Sequence, residues 1–95
     1  MRYFKRRWEE LRGDSHDDWG HSWWYFEVDG AGQVVRQLEA YDAGEVRKYD
    51  QTQSQDSDGW LSKEFDMDDA AAYLEIAAAE FNRRWAGTVG KWGID

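Results

Sequence analysis

The 95-residue chain contains no cysteine and no proline. Without thiols there is no disulfide framework and no thiolate metal site, the staples that a secreted domain of this size ordinarily needs. Without proline, a Pro-rich linker is excluded. No apolar run approaches the ~18 residues of a membrane span, and Met1 leads into Arg2 and Tyr3 rather than into an export signal. These absences point to a cytoplasmic protein with no membrane partner. Basic residues are also few, 12 Lys and Arg against 20 Asp and Glu, for a net charge of −8. The deficit is local: residues 1–13 carry +3, residues 14–69 carry −11, and the remainder balances. An acidic middle repels phosphate, which argues against nucleic acid and for a basic protein partner.

What the chain does have is aromatic side chains, 17% of the total, with seven tryptophans. A single small domain, residues 1–95, buries a thin core, so rings that each cover roughly 150–250 Å² replace many aliphatics. A first strand starts at Arg2 and runs toward Glu10, with Phe4, Arg6 and Trp8 on one side and Tyr3, Lys5 and Arg7 on the other. The polar stretch from Gly13 to Gly20 is a loop, and Ser22 to Val28 is an aromatic second strand. Asp29 to Gly32 is a turn, and a third strand runs from Gln33 to Tyr41. A three-residue loop would set Val28 opposite Val34, Phe26 opposite Arg36 and Trp24 opposite Leu38. The Asp42-Ala43-Gly44 turn, with Gly44 left-handed, pairs Tyr41 with Glu45, Glu39 with Arg47 and Arg36 with Asp50. Residues 51–59 are polar and low in complexity.

Met67, Ala71, Leu74, Ala78, Phe81 and Trp85 recur at spacings of four and three, a helical stripe. Asp66, Asp68 and Asp69 at its start and Arg83 and Arg84 near its end suit the helix dipole, and Gly87 stops it. The fold class is therefore α+β: an antiparallel meander of three to four strands with a C-terminal helix on one face. The expected core is Trp24, Phe26, Val34, Leu38, Leu74, Phe81 and Trp85. Trp23 and Tyr25 then point away from the helix, onto a face that is open or covered by the first strand and the tail with Trp92.

No residue set marks an enzyme. Ser15 and His16 are adjacent in sequence, which does not align their side chains, and no serine sits in a Gly-flanked elbow. Gly30 and Gly32 close a hairpin rather than cradle a phosphate. His16 and His21 beside Asp14, Asp17 and Asp18 have divalent-ion ligand types, but not an EF-hand or one-helical-turn spacing. The expectation is no catalytic site, no metal and no cofactor. Acidic groups beside tryptophans and a tyrosine make a protein-binding surface, since acids steer association and rings anchor it. Its candidate residues are Asp14, Asp17, Asp18, Trp19, Trp23 and Tyr25.

The strings Arg2-Tyr3-Phe4-Lys5-Arg6-Arg7-Trp8, Arg12-Gly13-Asp14, Trp19-Gly20, Trp24-Tyr25-Phe26-Glu27-Val28, Arg36-Gln37-Leu38-Glu39 and Tyr49-Asp50 resemble a family of small, Trp-rich bacterial proteins frequent in actinomycetes. The resemblance runs over residues 2–85 and implies no activity. It implies a break near Glu75 and Ile76, hence two short helices as an alternative to one long one. In size and acidity the chain resembles the immunity proteins that neutralise toxins, by analogy alone. Three readings follow: an acidic protein-binding module whose basic partner is a toxin domain, a housekeeping accessory domain or homodimer, and a small-molecule or metal-dependent protein using residues 14–21.

Overall fold

Aromatic and β-branched residues at alternating positions favour pleated strands, and the strands dominate the architecture. The computed structural model describes residues 1–9, 17–55, 60–62 and 73–86. Among them β1 (Arg2–Trp8), β2 (Ser22–Val28), β3 (Val34–Tyr41), β4 (Val46–Asp50) and β5 (Leu74–Ile76) form one antiparallel sheet in the order β4-β3-β2-β1-β5. Among the described residues one α-helix, α1 (Ala78–Ala86), follows β5 and lies on one face. The class is α+β, with five strands where the sequence implies three or four.

The β3–β4 hairpin has the register its charges dictate. Glu39 faces Arg47, Arg36 faces Asp50, and the Tyr41 amide donates to the Glu45 carbonyl at 2.8 Å. Gly44 adopts φ +99°, a conformation that costs a side-chain-bearing residue strain even though open space surrounds it.

The β2–β3 hairpin corrects the sequence expectation. Val28 does face Val34, but the next pair is Glu27 with Arg36, so Val35 is an extra residue in β3. A bulge of one residue carries every following side chain to the opposite partner. Tyr25, not Trp24, therefore faces Leu38, while Trp24 faces Glu39 and Phe26 faces Gln37. Arg36 gains acidic neighbours on both sides, Glu27 and Asp50.

Both faces of the sheet consequently carry a core. On the helix face, Tyr25, Leu38 and Phe81 are buried together, with Tyr3, Trp23, Val46, Ile76 and Trp85 packed around them. On the other, Phe4, Phe26, Val28 and Val34 are buried beneath Trp24, Leu61 and Tyr73. The expected core residues Phe26, Val34, Leu38 and Phe81 are buried, but they divide between two faces. The opposite face is not open, and Trp23 and Tyr25 lie on the helix side.

The four-three stripe also misleads in part. Leu74 is 58% exposed and belongs to β5, where Leu74 pairs with Lys5 and Ile76 with Tyr3. One long helix does not describe this stretch: the strand at the expected break near Glu75 and Ile76 precedes a nine-residue helix, and a first short helix before that break would lie outside the described residues. The expected start of the helix, with Met67 and Ala71, and the tail with Gly87 and Trp92 lie outside the described residues.

Candidate protein-binding site

The alternation of cations and rings in β1 and β2 gives this fold a recurrent local arrangement. Among the described residues, ten Lys or Arg placements set a cation within 6 Å of a ring centre, the distance over which a ring face attracts a cation. Three of these arginines also fork a carboxylate: Arg2 to Glu75, Arg7 to Asp42 and Arg36 to Glu27.

The most enclosed of the three lies beneath α1. Arg36 donates to both oxygens of Glu27 at 2.7 and 2.9 Å and to Asn82 of α1 at 2.7 Å, while Tyr3 donates to Glu27 at 2.8 Å. Those hydrogen bonds hold the Glu27 carboxyl below its ordinary range, and the one to Glu27 raises the Tyr3 phenol. Both shifts run against acid–base work near neutrality, because Glu27 becomes a poorer base and Tyr3 a poorer acid. This network ties a helix to a sheet. Lys5 donating to Glu80 at 2.9 Å, and Lys48 donating to the Trp85 carbonyl at 2.9 Å, add two more ties. The second satisfies a helix C-terminal carbonyl from a buried lysine.

At one end of the sheet the arrangement is exposed. The last residues of β1, the short 3-10 turn Asp17–Trp19 that leads into β2, and the β3–β4 turn converge there. Backbone bonds lace them, with Ala43 donating to the Trp19 carbonyl at 3.0 Å and Asp42 donating to the His21 carbonyl at 2.9 Å. Trp19 packs on Tyr41 with centroids 5.2 Å apart, and the Arg47 guanidinium stands 5.1 Å over its ring. Trp23 lies on the helix face, half-buried, with Lys5 at 5.4 Å and Arg7 at 5.9 Å over the indole.

Arg7 forks Asp42 at 2.8 and 2.6 Å and approaches Glu9 at 3.4 Å, which His21 meets at 3.2 Å. The Arg7 hydrogen bonds hold the Asp42 carboxyl below its usual range. Glu9, Asp18 and Asp42 are all exposed.

Of the six residues singled out from sequence, the structure brings Trp19, Asp18 and Trp23 to this end. Tyr25 sits under α1 at 5% exposure, with Arg84 5.4 Å over its ring, and offers no surface to a partner. Asp14, and with it His16, lies outside the described residues, as does the Asp17 side chain. Among the described residues no group of three His, Asp or Glu side chains is placed to hold a metal. Sequence reasoning misses Glu9, Asp42 and Arg7. Their signal is the alternation in β1, which puts Arg7 on the Trp23 face, but it becomes readable only when β1 is registered against β2.

A cleft of about 320 Å³ lies at the other end, lined by Met1, Arg2, Val28 and the β2–β3 turn. Arg2 and Asp29 are its charged lining residues, and it contains no serine, cysteine or histidine. Among the described residues, no helix is long and apolar enough to cross a membrane. Comparison with known proteins adds nothing to this geometry. No family model, characterised protein or solved structure matches the chain.

Proposed function

We propose that the protein is a non-enzymatic binding module that receives a basic protein partner at the end of the sheet carrying Trp19 and Trp23. The observation that carries this reading is that three exposed carboxylates, Glu9, Asp18 and Asp42, lie at one end of the sheet where a half-buried indole flanks each face, Trp23 on the helix face and Trp19 against Tyr41 on the other. Exposed acids in a chain of net charge −8 accelerate encounter with a basic surface. Indoles held by neighbouring cations are rigid anchors that lose little entropy on contact. A toxin domain with a basic active groove is a partner of this chemistry, and an adjacent toxin gene would be its cheapest sign.

Affinity purification at low salt followed by mass spectrometry names the partner, and kinetics on purified components then test the reading. Binding should weaken steeply with added salt, Asp18→Lys should slow association, and Trp19→Ala should speed dissociation. A partner that binds both variants like the parent protein overturns the assignment.

A further inference from the structure

We propose that Trp23, Asp42 and Glu9 form an arginine seat, in which Arg7 holds the place of a guanidinium supplied by the partner. The proposal deepens the reading of this end of the sheet as the site of a basic partner, but its test needs no partner.

The seat has the parts that distinguish a guanidinium from an ammonium. Asp42 offers both carboxylate oxygens to a planar fork, at 2.8 and 2.6 Å from the two Arg7 terminal nitrogens. The indole of Trp23 forms a wall under the guanidinium carbon at 5.9 Å. Glu9 stands 3.4 Å from the remaining nitrogen and is itself met by His21. A lysine could use the charge but not the fork. Lys5, over the same indole, accordingly turns its ammonium to Glu80 instead.

The other two forked arginines show why this seat is the exchangeable one. Arg36 is enclosed by α1, with Phe81 at 4.8 Å and Trp85 at 5.0 Å from its guanidinium. Arg2 and Glu75 are as open, at 53% and 52% side-chain exposure, but stand at the opposite end of β1, where the ring beneath the guanidinium is the buried Phe4. Arg7 combines two acids, Asp42 at 52% and Glu9 at 70% side-chain exposure, with the half-buried Trp23 indole on the same face of the sheet. An incoming arginine can approach Glu9 and the outer edge of Asp42 before Arg7 leaves. The swap exchanges one guanidinium for another, so the site never holds bare, unpaired acids.

The experiment empties the seat and refills it. Arg7→Ala is titrated with N-acetyl-arginine amide while the indole N–H resonance of Trp23 is followed by NMR. N-acetyl-citrulline amide, equal in shape but uncharged, is the control. Saturable shifts at Trp23 with the arginine compound and none with citrulline are expected, with millimolar affinity. Adding Asp42→Asn should weaken that binding at least about tenfold, and the parent protein, whose seat is filled, should respond correspondingly less. Circular dichroism checks that the variants are folded, and Arg7→Gln takes the place of Arg7→Ala if the latter is not. A folded variant whose Trp23 resonance ignores the arginine compound overturns the proposal. So does an equal response after Asp42→Asn is added, or an equal response in the parent protein. Failure here with a salt-sensitive partner still bound at Trp19 would remove the seat and leave the binding module standing.

Discussion

Arg36 of β3 is held between two elements: it forks the Glu27 carboxylate of β2 at 2.7 and 2.9 Å, and its guanidinium lies 4.8 Å from the Phe81 ring centre of α1. The Val35 bulge makes this possible by moving Glu27 opposite Arg36. Removing one partner of such an enclosed pair leaves the other charge uncompensated. Arg36→Met should therefore cost about 3 kcal/mol, and Glu27→Gln combined with it should recover a substantial part. Urea denaturation of the two single variants and the double variant measures the coupling; additive losses would show that the pair does not act as a unit.

The same carboxylate sets an acid limb of stability. Glu27 titrates below its ordinary value because Arg36 and Tyr3 hydrogen-bond the charged form. On acidification the unfolded chain thus takes up this proton before the native one does. The contribution is complete above the unfolded glutamate value of about 4.3 and drains as pH falls through the lower native value. Glu27→Gln should be less stable than the parent protein at neutral pH, and the gap should narrow below about pH 4. Denaturation series from neutral pH to about pH 3 would reveal it; a gap independent of pH would contradict the linkage.

These features show what a sequence exposes and what it hides. The β3–β4 register was legible because one alignment places Glu39 against Arg47 and Arg36 against Asp50, and a slip loses both. The β2–β3 faces were not, since Val35 carries no residue-type mark of a bulge. β5 was hidden for another reason. Leu74–Glu75–Ile76 fits the helical stripe, and the pairing with Tyr3, Phe4 and Lys5 that makes it a strand spans about seventy residues of sequence. At the candidate site, Asp18, Trp19 and Trp23 were visible singly. Arg7 and Asp42 meet only once β1 lies beside β2 and the β3–β4 turn folds back, which no local pattern encodes.

Phe81 is the apolar anchor of α1. The helix has nine residues, too few to persist alone in water, where isolated helices need ~12–15. Phe81 is its buried residue, packed with Tyr3 at 5.3 Å between ring centres and stacked with Trp85 at 6.0 Å. Phe81→Ala should cost about 3–5 kcal/mol. Amides 82–86 should lose hydrogen-exchange protection before those of β2 and β3, since the sheet retains its second core. Simultaneous loss at both would show one cooperative unit.

The last prediction separates ring from ring in the pair Trp23 and Tyr25, which the chain places two residues apart on one face. Tyr25 is buried with Leu38 and Phe81, so Tyr25→Ala opens a cavity beneath α1 and should cost about 3 kcal/mol or more. Its effect on partner binding should follow from lost folding alone. Trp23 is half-buried at the end of the sheet, where Lys5 and Arg7 flank it. Trp23→Ala should leave the sheet folded at a cost of about 1–2 kcal/mol, since part of its surface is already wet. If it anchors the partner, the same change should raise the dissociation rate by a factor corresponding to about 2 kcal/mol, roughly thirtyfold. Asp18→Lys should act on the other rate, slowing association and flattening its dependence on salt, because an exposed acid steers without being buried. Stopped-flow rates at two salt concentrations, with thermal melts of each variant, distinguish these outcomes. Unfolding of the Trp23 variant would make that ring part of the core, and unchanged rates in a folded one would move the interface away from this end of the sheet.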